Sequence, residues 1–260
     1  MQSWKLLIEY EGTRYSGWQK QPNARTVQGE LLKAAENAFG VKVEIGGAGR
    51  TDSGVHALGQ AAHLKTNSRE KLSAKQLQKA INDNLPSDIS ILRVQNAAPN
   101  FHARHDAAAR YYLYQIATRR TAFGKPFVWW VRDNLDATMM AQACQLLTGR
   151  HDFRSFTEDA PEQKSTLVQV DTAQIAVAGS LILFRIGASH FLWKMVRRVV
   201  GCLVEVGRGR MTVKHFQKLL IQHSNEPAAL TAPPSGLFLE HVLYAGDAPP
   251  NQIQPAFPIS

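Results

Sequence analysis

Along the first half of the chain, apolar residues alternate between a period of two and a period of 3.6, and each switch marks an element. "WKLLIEYEG" reads as a strand closed by Gly12. Thr26 is placed to cap a helix whose Val27, Leu31, Ala34, Ala35 and Ala38 share a face, with Gly40 as its stop. "VKVEI" alternates as a strand and delivers the chain into a glycine-rich stretch, "GGAGRTDSGV". "GQAAHLKT" is a further strand, and a Ser73-capped helix follows with Leu77, Ala80, Ile81 and Leu85. "DISILRV" completes the half as a strand.

The second half repeats the style without repeating the sequence. "ARYYLYQIAT" reads as a strand, and Asp136 to Leu147 as a helix closed by Gly149. "LVQVDTAQIAV" and "LILFRIGA" form a hairpin around Ala178-Gly179-Ser180. "FLWKMVRRVVGCLVEVG" reads as one helix with Phe191, Met195, Val199, Leu203 and Val206 along one side. Thr212 caps another helix, and "GLFLEHVLY" is a closing strand. The expected class is α+β, in two halves with helices packed on mostly antiparallel sheets. Residues 1–105 form the first domain and 106–246 the second, with a Pro-rich tail of no period over 247–260.

Composition narrows the partner. The 260 residues are 44% hydrophobic and 20% charged, enough for a real core. Lys and Arg total 30 against 21 Asp and Glu, a formal charge of +9 that favours a polyanion such as nucleic acid. Both halves carry the excess, which points to a broad basic surface. Cys144 and Cys202 sit in apolar helical patterns and read as buried unpaired thiols of a reducing compartment. The N-terminal apolar run is too short for a signal peptide, and no stretch approaches the ~18 apolar residues of a membrane span. A cytoplasmic protein without membrane association is expected. Nine histidines and two cysteines show no zinc-like spacing; His102 and His105 lie three apart in a loop and face a polyanion or are structural.

The glycine-rich stretch poses the chemical question, because it sets one carboxylate, Asp52, two residues after Arg50. Gly49 and Gly54 have the spacing of a P-loop, but Val55 and His56 stand where Lys and Ser/Thr must follow, and Asp52 would repel a phosphate. Asp52-Ser53-Gly54 matches an aspartic-protease triplet. That chemistry needs two carboxylates sharing a proton, whereas Arg50 favours the ionised form of Asp52. A purely structural Asp tying a tight turn is the remaining reading of the loop alone.

The longer string "GAGRTDSGVHALGQAAHL" resembles the catalytic signature of the tRNA pseudouridine synthase A family. So does "YEGTRYSGWQKQPNARTVQGELLKA", and "NFHARHDAAARYYLY", "HDFRSF", "SHFLWKMVRRVVGCLVEVGRGR" and "TAPPSGLFLEHVLY" look like the family's further blocks in the family's order. The resemblance implies a pseudouridine synthase fold, two similar α/β halves joined around a central catalytic cleft. It implies an isomerase turning uridine into pseudouridine in the anticodon stem-loop of tRNA, at positions 38, 39 and/or 40. It further implies a homodimer with tRNA across both subunits, and no cofactor or metal.

Carried over residue by residue, Asp52 matches the catalytic carboxylate and Tyr112 the tyrosine that packs on the target uracil. Arg197 looks like the arginine paired with that aspartate, and Arg50 and Arg104 match positions linked to base flipping and to holding RNA. Departures exist. Tyr111 and Leu113 stand where basic residues are common in relatives, and Trp193 and Arg198 where Tyr and Asn are frequent.

The chemistry is consistent with such a set. The product is an isomer of the substrate, so no redox group, metal or nucleotide is called for, and one ionised carboxylate suffices as nucleophile or charge stabiliser. Arg50 either fills the space of the extruded base or only pairs with Asp52. Tyr112 either stacks on uracil or is a core aromatic, and Arg197 in its apolar helix needs a carboxylate partner in either case. The row Lys71, Lys75 and Lys79 is a solvated helix face or an RNA-backbone contact. The rival class is a non-catalytic tRNA-binding or folding protein on the same scaffold, which would gain nothing from Asp52 in an anionic cleft.

Overall fold

The computed structural model describes residues 1–159 and 165–259. The chain divides into two compact units, one of residues 1–108 with 239–248, the other of 109–238 with 249–260.

The first unit opens with β1 (Gln2–Tyr10), α1 (Val27–Phe39), β2 (Glu44–Gly47), β3 (His56–Thr66), α2 (Ala74–Asn82) and β4 (Ile89–Asn96). β1 pairs antiparallel with both β3 and β4, and β2 pairs antiparallel with β3. Both helices start where the polar residues require. The Thr26 side chain accepts from the Gly29 N–H, and Gly40 takes the left-handed conformation that ends α1. Ser73 and Gln76 form a reciprocal capping box at α2. Leu31, Ala34 and Ala35 of α1, and Leu77 and Ile81 of α2, are buried. Phe39 closes the α1 face in place of Ala38, its ring 5.6 Å from Trp4.

β2 is shorter and later than the alternating "VKVEI" suggests. Its register sets Glu44 opposite Lys65, and β3 ends at Thr66. Val41 and Lys42 therefore have no strand residue opposite them, and Val41 is exposed.

The second unit contains β5 (Ala107–Ala117), β6 (Trp129–Trp130), α3 (Ala137–Gln145), β7 (Gly149–Asp152), β8 (Leu167–Ala178) and β9 (Leu181–Ala188). Three helices follow, α4 (Met195–Gly207), α5 (Val213–Ile221) and α6 (Glu226–Ala229). Its strand order is β5-β9-β8-β7, antiparallel throughout, with β6 added parallel to β5. The β8–β9 hairpin turns at Gly179, whose φ is 57°. Thr212 caps α5 as expected, whereas α3 is shorter than the expected Asp136–Leu147: Asp136 is its N-cap, it ends at Gln145, and Gly149 opens β7.

α4 begins at Met195, four residues later than its apolar pattern suggests. Lys194 adopts φ 59°, and the Trp193 N–H is drawn to the Asp159 carboxylate (2.9 Å) instead of entering a helical ladder. Phe191 and Trp193 thus precede the helix.

The closing strand β10 (Leu237–Tyr244) was grouped by sequence with the second half, but from Leu239 onward it belongs to the first unit. It neighbours β3. The Glu240 carbonyl oxygen lies 2.5 Å from where a side chain at Gly59 would start, and the Tyr244 hydroxyl donates to Ala103 O (2.8 Å). Residues 249–259 have no regular element, yet they dock on the second unit. Buried Gln115 accepts from the Ala256 N–H (2.6 Å) and donates to Phe127 O (2.9 Å), buried Arg185 donates to Gln252 O (2.7 Å), and Phe257 packs 5.0 Å from Phe127.

Candidate active site

The loop between β2 and β3 carries Arg50, Thr51 and Asp52, and its backbone is fastened at many points. Ala48 N donates to Ala61 O (2.8 Å), Val55 N to Asp52 O (3.1 Å), and Gln60 Nε2 to Gly49 O (2.9 Å). A second segment, residues 10–18, supports it from outside. Trp18 N donates to Thr51 O (3.0 Å), and Ser53 Oγ and Gly54 N both donate to Tyr15 O (3.1 and 3.4 Å). The Tyr10 hydroxyl is hydrogen-bonded to the Thr51 hydroxyl (2.8 Å). The two segments run so close that Gly17, at φ 87°, leaves only 2.6 Å between a notional Cβ and Thr51 O. Gly47 likewise lies under the Trp18 indole, 2.5 Å from notional Cβ to Cε2.

Thr51 is consequently buried, while Asp52 is half-buried and Arg50 exposed. The backbone on either side of the carboxylate is fixed in advance, the condition for a reacting group that must not search for its geometry. The supporting phenols are neutral. Burial pushes the hydroxyl of Tyr10 well up, and burial together with the hydrogen bond to Asp88 does the same for Tyr15. Tyr15 donates to the Asp88 carboxylate and accepts from Arg25 (3.0 Å), whose guanidinium lies 4.5 Å over its ring. Tyr10, Tyr15, Trp18 and Asp88 were not singled out from sequence; the signal available was the aromatic-glycine alternation of "YEGTRYSGW".

Arg104 is exposed in a turn of the same unit. That turn is built on histidine. His102 N donates to Asp106 (2.9 Å), and His102 Nδ1 accepts from the N–H groups of Arg104 and His105 (3.2 and 3.3 Å). The rings of His63, His102 and His105 follow one another at 4.6 and 4.2 Å. His63 Nδ1 accepts from the Ala103 N–H (3.1 Å), and its Nε2 meets Glu44 (3.1 Å). Burial holds the His63 imidazole below its usual range, with the neighbouring His102 adding to the effect against Glu44. His102 thus braces the turn that presents Arg104. Among the described residues no group of three His, Cys, Asp or Glu side chains could hold a metal ion.

Tyr112 and Arg197 belong to the second unit. Tyr112 stands on β5 opposite Ile186, 7% exposed, its ring edge-on to Phe191 at 4.9 Å. Tyr111 and Leu113, where relatives favour basic residues, are buried on the alternate face, with Gly187 directly under the Tyr111 ring. Arg197, half-buried on α4, donates from Nε to Ala232 O (2.7 Å) and accepts from the Ala232 N–H at its own carbonyl (3.0 Å). Its charge lies near buried Tyr114, whose hydroxyl donates to Pro233 O (2.8 Å). Burial raises the Tyr114 phenol, and Arg197 offsets part of that rise.

Arg198 points into the protein and joins Lys194 on one carboxylate, Glu158 (2.8 and 2.9 Å). The bond from Lys194 is the main reason the Glu158 carboxyl is held below its ordinary range. Cys144 and Cys202 are unpaired and buried, their thiols pushed up to about 12 by desolvation. Arg50 and Asp52 thus share one loop, Arg104 lies in another turn of that unit, and Tyr112 and Arg197 lie on β5 and α4 of the other.

Comparison with known proteins places these motifs in a family. Residues 6–106 and 143–245 match the family model described as tRNA pseudouridine synthase. The chain is 37% identical over 246 residues to the tRNA pseudouridine synthase A 2 of Clostridium perfringens, covering 94% of this chain and all of that protein. It is 38% identical over 248 residues to the tRNA pseudouridine synthase A of Dictyoglomus turgidum, covering 94% and 100%. The corresponding protein of Moorella thermoacetica is 40% identical over 244 residues, covering 92% and 98%. On this breadth of match the chain belongs to the tRNA pseudouridine synthase family.

Proposed function

We propose that the enzyme isomerises uridine to pseudouridine in the anticodon stem-loop of tRNA, at position 38, 39 and/or 40, with Asp52 as the catalytic carboxylate. The reaction breaks N1–C1′, turns the uracil, joins C5 to C1′ and returns the C5 proton as an N–H proton, so atoms balance without a cofactor. An ionised carboxylate assists by attacking the nucleotide or by opposing positive charge that develops at C1′. The observation that carries the assignment is Asp52 itself, a half-buried acid on a loop whose backbone is tied to residues 10–18 from both sides.

The other roles follow from exposure and chemistry. Arg50 is exposed two residues from Asp52 and fills the space of the extruded base, which costs a few kcal/mol to unstack. Arg104, on its histidine-built turn, holds the RNA backbone. Tyr112 packs on the target uracil, its ring braced by Phe191, and Arg197 is the second substrate-binding residue. The protein acts in the cytoplasm as a homodimer with tRNA contacting both subunits, a reading supported by the charge of +9 spread over both halves of the chain.

Asp52→Asn tests this directly. The amide keeps the size and the turn-forming ability of the acid but not its charge. The variant should fold, bind tRNA at least as tightly as the parent, and form no detectable pseudouridine in single turnover with enzyme in excess, in buffer containing EDTA. Turnover close to the parent's would return Asp52 to a turn residue, and a parent enzyme that stops in EDTA would remove the cofactor-independent reaction.

A further inference from the structure

Trp193 is 51% exposed on the second unit. Other large aromatic rings also reach solvent, but this one is mounted differently. Its N–H donates to the Asp159 carboxylate (2.9 Å) and its carbonyl accepts from the Thr157 hydroxyl (3.1 Å), so both backbone groups are fixed by one neighbouring segment. The next residue, Lys194, is the one non-glycine residue at positive φ among the described residues, at 59°. An L side chain in that conformation is strained, and such strain persists where surrounding structure enforces it and clusters at functional sites. Here the enforcing contacts are visible. Lys194 Nζ binds Glu158 (2.9 Å), and Arg198, 5% exposed, binds the same carboxylate (2.8 Å).

The surroundings of the ring say what it fits. The flanking apolar residues, Leu192 and Met195, are buried, so along this stretch the indole is the apolar group turned to solvent. Lys194 Nζ lies 5.1 Å from its centroid. Lys194 and Arg198 converge on Glu158 beside it. A single flat π face beside cations is the arrangement that receives an unstacked base with its phosphate.

We propose that Trp193 is a stacking platform for an unpaired nucleobase of the bound tRNA, additional to Tyr112, with Lys194 facing the adjoining phosphate. The proposal rests on tRNA as the substrate and concerns binding, not the chemical step. The strained backbone of Lys194 holds the ring in place before RNA arrives, so that stacking costs little ordering.

The test is a tRNA titration of the parent, Trp193→Phe and Trp193→Leu across a salt series. Loss of stacking on one base should weaken the leucine variant by roughly 5- to 150-fold, because it retains apolar bulk without a π face. The phenylalanine variant should recover most of that loss. The slope of log K against log salt should be the same for all three proteins, since a ring releases no counterions. Part of the tryptophan fluorescence quenching on tRNA binding should vanish in Trp193→Phe. Equal affinity in all three proteins, or a changed salt slope, overturns the proposal. If Trp193→Leu melts early, the phenylalanine variant decides alone: quenching as large as the parent's excludes a base on the indole. A parent that binds no tRNA would instead defeat the reading of the substrate.

Discussion

Gly47→Ala tests whether residues 10–18 position the loop of Asp52. The backbone at Gly47 is ordinary, so an alanine meets no conformational penalty; the difficulty is the Trp18 indole. A Cβ there would sit 2.5 Å from Cε2, 2.7 Å from Cζ2 and 2.8 Å from Nε1. Nonbonded carbons settle at about 3.5–4.0 Å, so β2 and the segment carrying Trp18 must part by roughly 1 Å. Trp18 has nowhere to go. It is 1% exposed, its ring lies 6.1 Å from Tyr10, and its carbonyl accepts from the Gln28 N–H (3.0 Å). Overpacking of this kind costs about 1–3 kcal/mol. In a protein of this size the melting temperature should fall by about 2–12 °C. The same movement is passed to Asp52 through the Trp18 N–H to Thr51 O bond, and a 1 Å misplacement of a reacting group costs on the order of 10²-fold in rate. Calorimetry and single-turnover pseudouridine formation read the two effects separately. Trp18→Phe in the same chain should relieve part of both, a coupling that independent sites would not show. Gly179→Ala, in a hairpin with nothing within 4 Å of the new methyl, should cost about 1 kcal/mol for its left-handed backbone and leave turnover alone. If Gly47→Ala melts and turns over like the parent, the loop is not held by Trp18.

Two further perturbations address other parts of the fold. The folded protein disfavours protonated His63, so its stabilising effect is present above the unfolded value of about 6.5 and lost as pH falls from there toward the lower folded value. Urea midpoints of the parent should therefore fall between pH 7 and pH 5, and His63→Gln should reduce that slope; an unchanged slope would show that His63 titrates normally. Deleting residues 249–260 removes the partners that Gln115 and Arg185 find in Gln252, Ala256 and Phe257, a loss of about 2–4 kcal/mol from charged and neutral hydrogen bonds. A urea midpoint equal to the parent's would mean that the segment only lies on the surface.

Elements were legible in the sequence where the local signal and the tertiary contacts agree. Thr26, Ser73 and Thr212 cap the helices that follow them, and Gly179 turns the β8–β9 hairpin. Legibility failed where a distant partner decides. The start of β2 depends on where β3 ends, and the start of α4 on the Asp159 carboxylate, neither of which a local period contains. The loop around Asp52 announced itself by its glycines, because glycine density reflects close approach of another chain segment. The identity of that segment was hidden, since Tyr10, Tyr15 and Trp18 read equally well as ordinary core. The part of His102 in bracing its turn was likewise hidden, because a ring nitrogen accepting two backbone N–H groups leaves no periodic signal.

The return of β10 to the first unit has a consequence for synthesis. Residues 109–238 are inserted between β3 and its neighbouring strand, so on a ribosome adding about 5–20 residues per second the partner emerges roughly 7–30 s after β4. During that interval β3 has β1 on one side, while on the other β2 covers only Ala62–Lys65 and leaves open the stretch around Gly59 that later meets Glu240, a condition that invites pairing with a foreign strand. The second unit waits as well, because residues 249–259 follow β10. The nascent chain therefore carries the loop of Asp52 on a half-finished sheet for most of translation, and the open part of the β3 edge is a place for shielding by a chaperone or by the ribosome surface.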